Sequence, residues 1–251
     1  MPKFYLLSLA LIAGICTANA QDGRLNKGNA LLPGISYAAQ APGGDLVDRF
    51  GPNFNVGLSL DYLTSEKNWI FGLTGQYLFG QDVKTDVLAG LRTPEGSIIG
   101  NDRSYVDIQL KERGYYMGLH IGKLVSFSSL NPRSGFRFTV GAGLLQHKIR
   151  IQDDPLTGVP QLNDTYKKGY DRLTNGLALQ EFVGYQLLSN NRRINFFAGF
   201  EFTQAFTRSR RDFDFDTRQK DEADRLDLLF GFRLGWILPF YFGQAADEVY
   251  Y

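Results

Sequence analysis

The sequence predicts an all-β fold: a closed antiparallel eight-stranded transmembrane β-barrel. Three observations predict it. Eight segments alternate apolar with small or polar residues at period two, the mark of strands whose two faces meet different surroundings. The connections between those segments are short and long in turn. The chain opens with an export signal and holds 14% aromatic residues and 28 glycines, which suits an exported β-protein.

Residues 1–20 read as a signal peptide. Lys3 supplies the positive start, Leu6 to Ile15 the apolar stretch, and Ala18-Asn19-Ala20 the small-residue site, with cleavage predicted after Ala20. Removal takes away Lys3 and leaves 26 basic against 26 acidic residues. It also takes Cys16, the one cysteine, which makes a poor lipidation site because Ile15 stands where a small residue is wanted. An exported chain without cysteine is no disulfide scaffold, thiol enzyme or cysteine–zinc protein. A balance of zero argues against nucleic acid. No later segment approaches 18 continuous apolar residues, so no transmembrane helix is expected.

The first strand is expected over 32–40, its start blurred by Pro33 and Gly34. Residues 21–31 would precede it in the periplasm. The second, 54–62, sets Phe54, Val56, Leu58, Leu60 and Tyr62 against Asn55, Gly57, Ser59 and Asp61. The third is 69–79, the fourth 115–122, the fifth 136–144, the sixth 175–188 and the seventh 194–204. The last, 226–242, is the cleanest. Leu226, Phe230, Phe232, Leu234 and Trp236 share a large greasy face; Asp227, Gly231, Arg233 and Gly235 share a small or polar one. A small polar face suits a narrow closed interior. The barrel is thus placed at 32–242, with 243–251 as a tail.

Three connections are short: 64–68, 128–134 and 189–193. Four are long: about 41–52, 80–111, 150–174 and 205–225. Short periplasmic turns and longer extracellular loops are the asymmetry of an outer-membrane barrel. Closure satisfies every backbone group, as lipid requires. Aromatics at strand ends form the expected girdles. Tyr62, Trp69, Phe127, Phe136, Tyr185 and Phe240 belong to the periplasmic side, and Tyr77 and Tyr115 to the outer side. Strict alternation puts Glu181 on the lipid face, where charge is costly. A β-bulge near Gln180 to Phe182, or a shifted strand boundary, is therefore expected to turn it inward.

With these features the chain resembles the small eight-stranded outer-membrane barrels of Gram-negative bacteria, of the OmpA-barrel or OmpX-like architecture. The resemblance spans nearly all of 31–242 and includes the ending Phe240-Tyr241-Phe242, similar to the C-terminal signal read by the barrel-assembly machinery. The stretch NRRINFFAGFEFTQAF (191–206) is similar to small barrels that accompany type IX secretion. The resemblance implies outer-membrane lipid and lipopolysaccharide as surroundings, the assembly machinery as a partner in biogenesis, and an envelope or secretion-complex protein as a further partner.

An eight-stranded barrel is just wide enough for its own side chains. Asp61, His120, Arg137, Glu201, Asp227 and Arg233 point inward and are expected to pair, because an isolated buried charge is expensive. A polar plug is the expected reading and a gated ion path its rival.

Catalytic signals are thin. His147 stands near the extracellular rim, close in sequence to Asp153 and Asp154; a rim hydrolase would need such a set. No G-x-S-x-G, H-E-x-x-H or P-loop pattern occurs. Asp212, Asp214 and Asp216 alternate like a calcium loop, yet Thr217 and Ala223 stand where glycine and glutamate belong. No metal or cofactor is expected. The run suggests instead a hairpin extending above the membrane. Arg208, Arg210 and Arg211 are expected to pair with nearby aspartates rather than face lipopolysaccharide phosphates. In 80–111, a helical turn is expected at Thr85 to Leu91, and Ile98, Ile99 and Val106 either pack over the mouth or meet a partner. The functional expectation is a non-enzymatic barrel that serves a structural or partner-binding role. A small channel, or a lipid-modifying or proteolytic enzyme, is the alternative.

Overall fold

The computed structural model describes residues 28–101, 103–128, 131–152, 159, 162–189 and 194–242. The signal peptide, its cleavage site, Asp153, Asp154 and the 243–251 tail lie outside the described residues. The strands are β1 (Asn29–Gly44), β2 (Asn53–Leu63), β3 (Trp69–Gly80), β4 (Ile98–Ile99), β5 (Tyr105–Val106), β6 (Gln109–Val125), β7 (Gly135–Gln152), β8 (Thr174–Leu188), β9 (Asn195–Ser209), β10 (Asp224–Ile237) and β11 (Phe240–Phe242). Eight of them run antiparallel around a barrel in the order β1, β2, β3, β6, β7, β8, β9, β10; β10 pairs back onto β1 and leaves no open edge. The small β4–β5 ladder sits in the longest loop.

Most strands run past the bounds read from the sequence. β1 begins at Asn29, because Asn29–Leu31 pair with β11 across the closing seam. Two of that seam's three prolines meet at its lower end. Pro33 of β1 accepts from the Leu238 N–H, and Pro239 separates β10 from β11. Neither ring nitrogen can donate, so both missing donors fall at one point of the ladder. β6 and β7 reach Gln109 and Gln152, well above the apolar belt, since their alternation continues in polar residues.

The outer face is apolar at mid-height. Leu58, Leu73, Met117, Leu119, Val140, Leu144, Phe200, Phe230 and Leu234 are exposed there. A water-facing protein rarely shows so continuous an apolar belt. Tyr62, Trp69, Phe127, Phe136, Tyr185 and Phe240 are exposed toward the end with short turns, and Tyr77 and Tyr115, whose rings are 5.5 Å apart, toward the other. No helix among the described residues is long and apolar enough to cross a membrane.

Glu181 corrects an expectation. β8 pairs without interruption, Glu181 opposite Val140 on β7 and Phe202 on β9. No bulge forms, and Glu181 is exposed on the apolar face between Leu179 and Val183.

Both ends are closed. Above, Leu46 and Phe50 from the β1–β2 connection, Val87 and Leu88, and Ile98, Val106 and Ile108 from the long loop pack onto Leu78, Leu145 and Ile149. The expected helical turn is a single 3-10 turn at Ala89–Leu91. Below, Ala30, Leu32, Leu63, Ile70, Leu124, Leu188 and Ile237 form an apolar floor. Under it, Arg133 donates to the Thr64 carbonyl at 2.6 Å, to Asn68 Oδ1 at 2.9 Å and to the Gly28 carbonyl, tying three chain segments together.

Candidate functional site: a sealed polar lumen

The period-two pattern sends one face of every strand inward, and polar residues on that face stack in three layers. In the lowest, Asp61 of β2 meets His120 Nε2 of β6 at 2.7 Å and Arg137 of β7 at 2.7 Å. Arg137 also donates to Gln186 at 3.1 Å and lies over the rings of Phe182 and Phe197, 5.9 and 5.3 Å from their centroids. The planar guanidinium thus has an acid on its edge and aromatic faces beside it.

In the middle layer, Glu201 of β9 pairs with Arg233 of β10 and accepts from Gln40 at 2.7 Å and Asn55 at 3.1 Å. Arg233 reaches across to Gln180 at 3.1 Å, and Gln180 donates to Thr203 at 3.1 Å and Gln76 at 3.3 Å. In the upper layer, Asp227 of β10 meets His147 Nε2 at 2.8 Å, accepts from Thr207 at 2.5 Å and pairs with Arg49 at 3.3 Å. Arg49 also donates to Thr174 at 3.1 Å. Glu112 accepts from Asn53 at 2.9 Å beside this layer.

Each of the three aspartate or glutamate centres therefore has its own arginine from another segment. Buried charges are tolerated only when paired and hydrogen-bonded, and these three carboxylates are; buried Glu112 has the Asn53 amide but, among the described residues, no ion pair. The space left among Ser36, Ser59, Thr74, His120, Arg137 and Arg233 is about 20 Å³, room for roughly one water.

A glycine keeps the lowest layer this tight. A Cβ on Gly72 would overlap Asp61 Oδ1 and lie 2.6 Å from His120 Nε2. Gly72→Ala is expected to destabilise the barrel by about 1–2 kcal/mol through this overpacking. Urea unfolding in lipid vesicles measures it, and an unchanged midpoint contradicts the geometry.

The structure places the six sequence-identified lumen residues inside, five of them buried and His120 part-buried, and divides them among three layers. His147 is different from its expected place. It is not at a solvated rim but 1% exposed inside the barrel, because β7 runs on to Gln152 and carries the inward phase with it. Arg49, Glu112, Gln40 and Gln180 escaped the sequence reading. Arg49 comes from a loop, which has no period. Glu112 was within reach, since it continues the inward series 120, 118, 116, 114.

The 210–223 connection also departs from expectation. It is not an extended hairpin but a loop with one bridge, Asp214 to Gln219, and Arg218 at φ 57°. Arg172 pairs with Asp216, and burial raises the Asp214 carboxyl above its ordinary range, with Arg172 opposing. Arg208 chelates Asp224 and Arg211 chelates Asp171, while Arg210 meets Asn175. Among the described residues, no group of three His, Cys, Asp or Glu is placed to hold a metal ion.

The apolar exterior, closed ladder and filled interior define a membrane-type antiparallel β-barrel of eight strands. No family model and no curated protein matches the chain. Among solved structures it is similar to Ail, the attachment invasion locus protein of Yersinia pestis, at 11% identity and TM-score 0.37, covering 84% of this chain and 99% of that one. Ail in complex with the heparin analogue sucrose octasulfate matches at 12% identity and TM-score 0.35 over the same shares. A deltaS2 mutant of the TodX monoaromatic hydrocarbon channel matches at 8% identity and TM-score 0.31, covering 86% of this chain and 91% of that one.

Proposed function

We propose that the chain is a non-conducting, non-enzymatic outer-membrane barrel that acts as a structural or partner-binding component of the envelope. The sealed lumen is the observation that carries this reading. Among the described residues, three layers of paired charge, an apolar floor and a cap of loops fill the barrel, and the space among the inner polar side chains is about 20 Å³. His147, the residue best suited to a rim hydrolase, is buried and bound to Asp227. The export signal and the apolar belt support the outer membrane as its location.

A partner would meet the outer cap. Ile98 and Val106 turn inward, whereas their neighbours Ile99 and Tyr105, directly opposed across β4–β5, are exposed. Single exposed apolar residues mean little, but an opposed pair on a short ladder offers an anchor. The resemblance of 191–206 to barrels that accompany type IX secretion makes a component of that machinery the partner class to test first. Photo-crosslinkers at Ile99 and Tyr105 in living cells, read by mass spectrometry, test for a specific adduct. Recovery of lipid alone contradicts partner binding at this cap. Planar-bilayer recordings are expected to show no stable conductance; discrete openings contradict the sealed lumen.

A further inference from the structure

Above the outer aromatics, charges on the barrel exterior cancel at one seam and reinforce at another. Arg208 of β9 stands opposite Asp224 of β10 and pairs with it. On the β6–β7 ribbon, Arg113 stands directly opposite Lys148, and Lys111 opposite Arg150. All four continue the outward series through Tyr115 and Gln146. Like charges directly opposed on one sheet face repel.

Internal neutralisation is slight. Among the described residues, no acid pairs with Lys111 or Arg150. Arg113 donates to two carbonyls, Gly80 at 3.4 Å and Glu112 at 2.5 Å, which carry no net charge. Lys148 lies 3.7 Å from Asp171, whose carboxylate Arg211 already chelates at 2.7 and 2.6 Å. Lys148 and Arg150 also line an open cleft of about 460 Å³ whose other charged residues are Lys167, Lys168 and Arg211 against Asp164 and Asp171.

Height decides what faces this ribbon. Arg113 and Lys148 lie two residues beyond Tyr115 and Gln146, and Lys111 and Arg150 four. At about 3.3 Å per residue and a tilt near 45°, that is roughly 5 and 10 Å further out. The headgroup layer extends roughly 5–8 Å past the hydrocarbon on each side. The first pair falls at the inner edge of that layer's range and the second just beyond it.

We propose that the β6–β7 ribbon binds the phosphate groups of an anionic outer-leaflet lipid, a phosphorylated glycolipid of the lipopolysaccharide type. A phosphate placed between opposed cations turns their repulsion into charge-assisted hydrogen bonds, and arginine matches its oxygens two at a time. The site rests on the outer-membrane reading given above.

The test uses protein isolated from membranes and reconstituted in nanodiscs. Retention of diphosphoryl lipid A is measured by native mass spectrometry, against dephosphorylated lipid A and against pyrophosphate in solution. The wild type is expected to prefer the diphosphoryl form by about tenfold or more. The variant K111Q/R113Q/K148Q/R150Q is expected to lose that preference, and R208Q/R210Q to keep it. Equal binding by the quadruple variant, or no preference in the wild type, overturns the site. Displacement of the lipid by an equivalent of pyrophosphate overturns the lipid as its ligand and assigns a soluble anion. Heat-dependent gel migration, read in parallel, reports the barrel itself. A folded barrel that retains no phosphorylated lipid sinks only this site, whereas loss of heat-dependent migration in the wild type sinks the membrane reading.

Discussion

Asp227→Ala is expected to lower the stability of the barrel by about 3–5 kcal/mol, the usual cost of removing one partner from a buried ion pair. Asp227 is the acceptor for three groups on three segments: Arg49, His147 and Thr207. Its loss leaves the buried Arg49 charge without its carboxylate. Urea unfolding in lipid vesicles, followed by the fluorescence of Trp69 and Trp236, gives the number. The double variant D227A/R49M is expected to recover part of the loss, because no orphaned charge remains. A loss below about 1 kcal/mol in the single variant contradicts the pairing.

Glu181→Leu is expected to act in the other direction and stabilise the barrel by about 2 kcal/mol, since charged groups near the bilayer midplane carry a penalty of a few kcal/mol. The residue sits in the middle of the apolar belt with Val140 and Phe202 as its cross-strand neighbours. The same unfolding assay reads the gain. A loss of stability on substitution shows that the carboxyl makes a stabilising contact in the membrane.

Glu181 also marks where sequence reasoning chose the wrong remedy. A bulge turns one residue inward by adding one to the count, and the phase then shifts for everything beyond it. Leu177, Leu179, Val183 and Tyr185 all share the outward phase on both sides of Glu181. A single bulge would have turned one pair of them into the lumen. The chain keeps four apolar residues outside and accepts one carboxyl among them. That phase continuity was present in the sequence.

Strand number, facing and the six inward residues were legible because each depends on period two, and one buried face enforces it over many residues. Strand ends were not, since β6 and β7 persist as a ribbon after their apolar residues stop. His147 moved from rim to interior for that reason. Loop residues have no period at all: Arg49 reaches Asp227, and Asp171 gathers Arg211, through folding of connections that only the whole cap determines.

The seam between β1 and β10 joins the first described strand to the last long one. Apart from the short β1–β11 continuation of this seam, every other ladder of the barrel links successive barrel strands and can form as the polypeptide arrives. β1 must wait with one edge bare until β10 exists, and non-local pairings of this kind are slow to form and prone to misassociation. The middle and upper lumen layers depend on that last join, since Arg233 and Asp227 arrive with β10. Folding therefore has a late, all-or-none step, and a chain truncated before residue 224 loses its closing strand together with an acid and a base of its interior.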